Sequence, residues 1–444
     1  MAISSDVLVV GGGLAGATAA LAAAEEGATV RLVSAKGSTL RFASGLVDLL
    51  GYPPDGRDSS ADGDGPLIDP FDALDALPEC HPYRVVGEET IREAFALFDE
   101  ATGDLYRGDH TDRNALVVTH GGTVKPTARY PASVAPGLAS AERSTLLVGF
   151  ESLTNFDAPL AAAHLRAAGV PFDVRGVTVP FAAVLRSDAS ATRIARALDR
   201  DEPIDGTPAR RALAGAVAEA ARDDSRGGDI ERVGFPALLG DDEAPAVRES
   251  LAARLGADVF EVPTGPPSLP GLRLEDRLFD ALDEADVRVE TGNPVVDYEA
   301  DRRAGPDRIS AVLVDRNGRR VPYRAEQFVL ATGGLVGKGL ESSRRSVREP
   351  IFGCRVPHPE DRYDWFDDDA FGDQPYARFG VVPDGTLRPT ETDGEPTFEN
   401  LRAAGAVLGG ADTAAEKSSG GVSLATGLLA GRSAARAIGT GAHS

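Results

Sequence analysis

Asp6-Val7-Leu8-Val9-Val10-Gly11-Gly12-Gly13-Leu14-Ala15-Gly16 is the stretch on which the fold turns. Four apolar residues closing on glycines read as a buried parallel strand. The Ala-rich run from Leu14 to Glu26 reads as a helix stopped by Gly27, and Thr29-Val30-Arg31-Leu32-Val33 supplies a second strand. This is a β-α-β unit with G-x-G-x-x-G at its first turn. Gly11 permits the tight turn, Gly13 lets backbone approach a pyrophosphate, and Gly16 lets helix and strand pack closely. The helix N-terminus adds unpaired N–H groups and a positive dipole. Gly11, Gly12, Gly13, Leu14, Ala15 and Gly16 are therefore expected to cradle a nucleotide phosphate, the alternative being a purely structural turn.

Where such folds end the second strand on a carboxylate that grips the adenosine ribose, this chain has Ser34, followed by Ala35-Lys36-Gly37. A hydroxyl can still bond a ribose, so FAD with a weaker grip and a mononucleotide flavin both remain open. Ser34, Lys36 and Gly37 are expected near the nucleotide.

Outward from this turn, Tyr52–Gly65 reads as an exposed acidic loop rich in Pro, Gly, Asp and Ser. The region from Phe71 to the Pro-rich stretch 263–270 has its own β/α rhythm. It includes expected helices at 88–101, 159–168 and 210–222 and strands at 115–119 and 144–148. From Leu272 the first rhythm resumes, with a helix at 274–285, an Asn317-Gly318 hairpin turn and the strand Phe328–Ala331. The expected architecture is α/β: a Rossmann-like FAD/NAD(P)-binding domain with a parallel sheet, residues 1–70 and 268–444, and a second α/β domain, residues 71–267, inserted into it.

Two further glycine motifs narrow the ligand. Thr332-Gly333-Gly334 puts small residues at a strand end, where a cofactor or a plain turn would need them. Gly410-Ala411-Asp412 leads to Gly420-Gly421-Val422, which opens an Ala-rich helix to about Ile438. Its N-terminal N–H groups are expected to face a flavin ring and stabilise the negative charge of its reduced form. Three such motifs favour a flavin over NAD, which needs only the first.

The 444 residues hold 69 Asp and Glu against 46 Lys and Arg, a net charge of −23, and only four of the basic residues are Lys. No basic run is visible and nucleic acid is excluded as a partner. Such acidity fits a chain kept soluble in concentrated salt, or else compositional drift in a GC-rich genome. Cys80 and Cys354 are the only cysteines, too few for a four-thiolate iron–sulfur cluster, and the six histidines lack metal-ligand spacing. No metal site is expected. Without an apolar run of about 18 residues or a basic leader, the chain is expected to be cytoplasmic.

The strings VLVVGGGLAGATAA (7–20), FASGLVDLL (42–50), FVLATGG (328–334), VREPIFG (347–353), FGVVPDGTLRPT (379–390) and NLRAAGAVLGGAD (400–412) with GGVSLATG (420–427) resemble the B subunits of anaerobic glycerol-3-phosphate dehydrogenase. More distantly they resemble the fumarate reductase and succinate dehydrogenase flavoproteins. The resemblance covers most of the chain and is strongest over 1–51 and 325–436. It implies a flavoprotein component carrying FMN, with FAD the close alternative, and adds Ser44 and Gly45 to the cofactor contacts. It implies two partners, the catalytic A subunit and the iron–sulfur C subunit, and thereby a peripheral place on the inner face of the cell membrane. The implied reaction is oxidation of glycerol 3-phosphate to dihydroxyacetone phosphate, with electrons passed on to a quinone.

That substrate requires cations for its phosphate and a base for its hydroxyl proton. Arg348, in Val347-Arg348-Glu349-Pro350, heads the candidates, with Lys338, Arg344, Arg345, His358 and Arg129 behind it. Solvation, or pairing with acidic neighbours, is the ordinary fate of such side chains. His110-Thr111-Asp112-Arg113 is faintly similar to a fumarate reductase loop in unmatched surroundings. The competing functions are a stand-alone oxidoreductase of the fumarate reductase type and a non-catalytic assembly subunit.

Overall fold

The computed structural model describes residues 3–53, 65–181, 191–223, 229–265, 268–302, 306–369 and 372–438. Most of the acidic loop expected at 52–65 lies outside them. The chain forms two compact units, one of residues 1–39, 47–103 and 275–444, the other of 40–46 and 104–274.

In the first unit the strand order is Arg288–Thr291, Val30–Ser34, Ile3–Val10, Arg319–Leu330, Arg308–Arg316, Val295–Asp301, and Leu401–Ala403 also pairs with Arg319–Leu330. Neighbours are parallel from Arg288–Thr291 across to Arg319–Leu330 and Leu401–Ala403. The last two strands are antiparallel, joined to the long strand through Asn317, at φ 55°, and Gly318. Val7, Leu8, Val9, Leu32, Val33, Phe328, Val329 and Leu330 are all buried. Strands sealed on both faces explain why these runs are continuously apolar rather than alternating.

Leu14–Glu25 is rich in Ala because it lies tightly against the helix Ser419–Ile438. A Cβ on Gly427 would stand 2.6 Å from the Ala15 carbonyl oxygen, and one on Gly431 2.2 Å from that of Ala19. These two glycines are in the helix for packing.

The second unit is also α/β. Its sheet has the order Asp258–Val262, Arg232–Pro236, Thr145–Phe150, Val174–Val179, all parallel. Its core gathers Leu146, Val148, Phe150, Leu198, Leu213, Phe235, Val247 and Leu251. Arg232 is fully buried there. Its guanidinium donates to the carbonyls of Pro136, Leu138 and Ala141 and to Thr145 Oγ1, with Phe172 under it at 4.6 Å. Burial lowers its pKa to about 10.

The α/β class and the parallel sheet are as expected, while the compact units divide elsewhere than the composition suggested. Residues 71–103 go with the first unit, because Glu88–Thr102 packs on the C-terminal helix and Glu93 pairs with Arg432. Residues 40–46 go with the second, where Gly45 closes on Pro270 and accepts a hydrogen bond from Tyr106 Oη at 2.6 Å.

Candidate functional site

The strand Ile3–Val10 ends at Gly11, whose φ of 119° is one that side-chain-bearing residues rarely adopt. A Cβ there would meet the Ala331 carbonyl oxygen at 2.1 Å, and one on Gly16 would meet that of Gly11 at 1.9 Å. The protein's own backbone therefore demands both glycines. Gly13 is different. It sits at the helix N-cap with φ −80° and ψ −174°, allowed for any residue, and a Cβ would find only Thr39 Oγ1 at 3.8 Å. Nothing among the described residues needs a glycine at 13.

Gly13 also brings no capping side chain, and among the described residues nothing accepts from the N–H groups of Leu14, Ala15 and Gly16. Ala15 and Gly16 are buried. A buried helix start with free donors is a ready anion site. Beside it, Gly12 approaches the Ser34 side chain, a Cβ there lying 3.2 Å from Ser34 Oγ. The Ser34 hydroxyl donates to the Lys36 carbonyl at 2.8 Å, so its lone pairs remain to accept from a ribose hydroxyl. Lys36 is exposed and Gly37 half-buried.

At the end of the neighbouring strand, Thr332 Oγ1 is buried and has no hydrogen-bond partner among the described residues. Buried hydroxyls are seldom left so. Gly333 has φ 84°, and Gly334 passes Ala406 so closely that a Cβ would stand 2.6 Å from its carbonyl oxygen.

The third motif is held by the chain itself more than expected. Gly421 N donates to the Asp48 carbonyl at 2.6 Å, and Val422 N to that of Ser418. A Cβ on Gly420 would meet Val47 at 2.8 Å, and one on Gly421 Tyr83 Oη at 2.1 Å. These residues are glycines because the segment around Asp48 and Tyr83 presses on the helix start. The expectation that the whole first turn faces a flavin is thus corrected: Ser419 and Gly420 keep free N–H groups among the described residues, and Gly421 does not. Gly410, at φ 96°, faces the Cys80 carbonyl. Asp412 is buried and caps Thr413–Glu416, accepting from Ala415 N at 3.0 Å.

Sequence reasoning missed a buried cluster beneath this motif. His81 Nδ1 accepts from Tyr83 N at 3.1 Å, which leaves Nε2 to donate to Glu416 Oε2 at 3.1 Å. Glu416 also accepts from Ser418 Oγ and Asp412 N. Burial works against its charge, but His81 and these donors hold its carboxyl below the ordinary carboxylate range. Tyr83 Oη donates to the Leu49 carbonyl at 2.7 Å. His81 and Glu416 lie 335 positions apart along the chain, and no local spacing signals them.

The candidate substrate residues are not brought together. Arg348 is exposed on the hairpin of Glu341–Ser342 with Val347–Arg348 and pairs with Glu341 at 2.8 Å. Arg344 and Arg345, at its tip, and Lys338 are exposed, and their side chains have no partner among the described residues. His358 Nδ1 donates to the Val356 carbonyl at 2.7 Å while Nε2 accepts from Val347 N at 3.3 Å. Its ring packs on Trp365 and Phe379. With both nitrogens engaged His358 anchors its loop, and the structure does not present it as a free catalytic group. Arg129 belongs to the second unit and donates to the carbonyls of Gly108 and Ala128. Ser44 and Gly45 also fall in that unit, and His110–Arg113 is a largely exposed loop there. Among the described residues no group of His, Cys, Asp and Glu could hold a metal, and no helix is long and apolar enough to cross a membrane.

Residues 6–422 match the FAD binding domain family. A Halobacterium salinarum protein described as the probable B subunit of anaerobic glycerol-3-phosphate dehydrogenase is 62% identical over 99% of both chains. The B subunit of anaerobic glycerol-3-phosphate dehydrogenase from Pectobacterium atrosepticum is 34% identical over 95% of this chain and 96% of its own. Among solved structures, the open conformation of a flavocytochrome c3 fumarate reductase matches 98% of this chain and 79% of its own, at 12% identity and a TM-score of 0.44.

Proposed function

The chain belongs to the FAD binding domain family and to the family of anaerobic glycerol-3-phosphate dehydrogenase B subunits, and we propose on that premise that it is the flavoprotein component of such an enzyme. Its substrate is glycerol 3-phosphate, its product dihydroxyacetone phosphate, and its cofactor FAD rather than the FMN that the sequence resemblance implied. The observation that carries the flavin is the buried, uncapped helix start at Gly13–Gly16. It fits a pyrophosphate, and the neighbouring Ser34 fits the hydrogen-bond acceptor that an adenosine ribose needs.

On this reading the free N–H groups of Leu14, Ala15 and Gly16 hold the pyrophosphate. Thr332 Oγ1, otherwise unpartnered, donates to or accepts from the flavin, and the N–H groups of Ser419 and Gly420 lend it positive potential. Asp412 and Gly410 shape the loop leading to that helix. A bound flavin would supply the acceptor for the hydride that leaves the substrate carbon as its hydroxyl becomes a carbonyl. Lys338, Arg344 and Arg345 are free to meet the substrate phosphate, whereas Arg348 must first leave Glu341.

The two-cysteine composition supports an iron–sulfur relay on another chain, so the working unit includes the A and C subunits as partners, with electrons going on to a quinone. The test is anaerobic addition of glycerol 3-phosphate to the purified chain, alone and with its co-expressed partners, followed at the flavin band near 450 nm. Bleaching, with sustained dye reduction only in the presence of partners, supports the reading. Robust turnover by the chain alone contradicts its role as one part of a complex, and a colourless protein contradicts the flavin.

A further inference from the structure

The helix Ser419–Ile438 begins without a side-chain cap, although the residue best suited to cap it is in place. Ser418 directly precedes it, and the Ser418 carbonyl accepts from Val422 N at 2.9 Å, the first bond of the helix. A serine in that position ordinarily turns its hydroxyl onto the second or third N–H of the helix. Ser418 does not. Its Oγ donates to Glu416 Oε2 at 2.9 Å, and Gly421 N goes instead to the Asp48 carbonyl. Gly420 N is left with no acceptor among the described residues. The helix just before it is capped in the ordinary way, Asp412 Oδ1 accepting from Ala415 N, as is Ala158–Ala167 by Asp157.

The hold of Glu416 on Ser418 is built in from several sides. Lys417, at φ 54°, ends Thr413–Glu416 and turns the chain between the two residues. The Glu416 carboxylate also accepts from His81 Nε2 at 3.1 Å and from Asp412 N at 3.1 Å. Its carbonyl accepts from Gly51 N at 2.8 Å and Tyr52 N at 3.0 Å. Ser418 and His81 are fully buried, and Glu416 nearly so. A hydrogen bond to a carboxylate is roughly twice as strong as one between neutral groups. The hydroxyl therefore stays with Glu416 rather than with the helix, and the helix start keeps its positive potential.

We propose that Glu416 is a positioning residue for flavin binding: by holding the Ser418 hydroxyl, it keeps the Gly420 N–H uncapped for the ring of the bound flavin. The inference rests on the flavin reading above, and the match to the FAD binding domain family runs through this turn, to residue 422. Glu416 itself touches no cofactor. It acts through Ser418, and His81 acts one step further back by orienting the carboxylate. All of these residues belong to the first compact unit.

Two readings test it on the full chain: hydrogen exchange at the Gly420 amide without flavin, and FAD affinity by fluorescence quenching. In Glu416→Ala the released hydroxyl caps the helix, so exchange at Gly420 slows and FAD binds about fivefold more weakly. Adding Ser418→Ala to that variant removes the cap and is expected to return affinity to within about twofold of the natural chain. A role for Glu416 in the fold alone predicts no such rescue, and mere loss of a negative charge near the flavin predicts tighter binding. Either result, or exchange at Gly420 that does not slow, overturns the inference and leaves the flavin reading standing. No FAD binding by the natural chain overturns both. Should Glu416→Ala not fold, Glu416→Asp draws the carboxylate back from Ser418, and the same loss and the same rescue by Ser418→Ala are expected.

Discussion

The imidazole of His81 donates through Nε2 to Glu416 Oε2 at 3.1 Å, with His81 fully buried and Glu416 nearly so. This contact ties the segment at 80–83 to the loop that enters the C-terminal helix. Because the folded pKa of Glu416 is depressed, its ionised form favours folding. That contribution is complete above the ordinary carboxylate value of 4.5 and is lost as pH falls through the lower folded value. Glu416→Gln is therefore expected to cost about 1–3 kcal/mol near neutrality. It should also flatten the fall in melting temperature on acidification below the ordinary value. Parallel melts of the natural and variant chains across that range check this; equal slopes would count against it.

Gly16→Ala places a Cβ 1.9 Å from the Gly11 carbonyl oxygen, a clash with backbone that no rotamer relieves. We expect a loss of about 1–3 kcal/mol, seen as a lower urea midpoint with or without flavin.

Thr332→Val removes a buried hydroxyl that has no partner among the described residues. The flavin-free chain is expected to be as stable as the natural one or slightly more so, since an unsatisfied group is lost. Flavin affinity should fall about 5- to 10-fold, measured by fluorescence quenching on titration. Unchanged affinity would mean the hydroxyl does not meet the cofactor.

Arg232→Met strips donors from three carbonyls and Thr145 Oγ1 inside the second unit. The replacement fills part of the space but leaves those acceptors buried, so a cost of about 3 kcal/mol is expected in urea denaturation. Because Arg232 lies in the other compact unit, flavin content should be unaffected in the folded fraction.

Much of this was legible in the chain. The strand, turn and helix at 6–26 occupy Ile3–Val10 and Leu14–Glu25, since apolar runs and glycine turns are local signals. The Asn317-Gly318 hairpin appeared for the same reason. The glycines of the C-terminal helix were legible as glycines but not in their purpose. Gly427 and Gly431 serve a helix contact, and Gly421 makes room for Tyr83, a partner far off in sequence. His81–Glu416 and Arg273–Glu261 were invisible because pairing across folded segments leaves no spacing rule. His358 looked available because sequence does not show that Val347 N and the Val356 carbonyl occupy its ring.

Gly13 tests most directly whether the first glycine turn holds a flavin nucleotide, being the glycine of that turn that no described residue requires. The measurement is heat release and chromatographic identification of the flavin from the natural chain and from Gly13→Val, beside melts of both flavin-free proteins. We predict about one FAD per natural chain and little flavin on the variant, at a stability cost of no more than about 1 kcal/mol. Equal flavin content in the two, or none in the natural chain, would contradict the account.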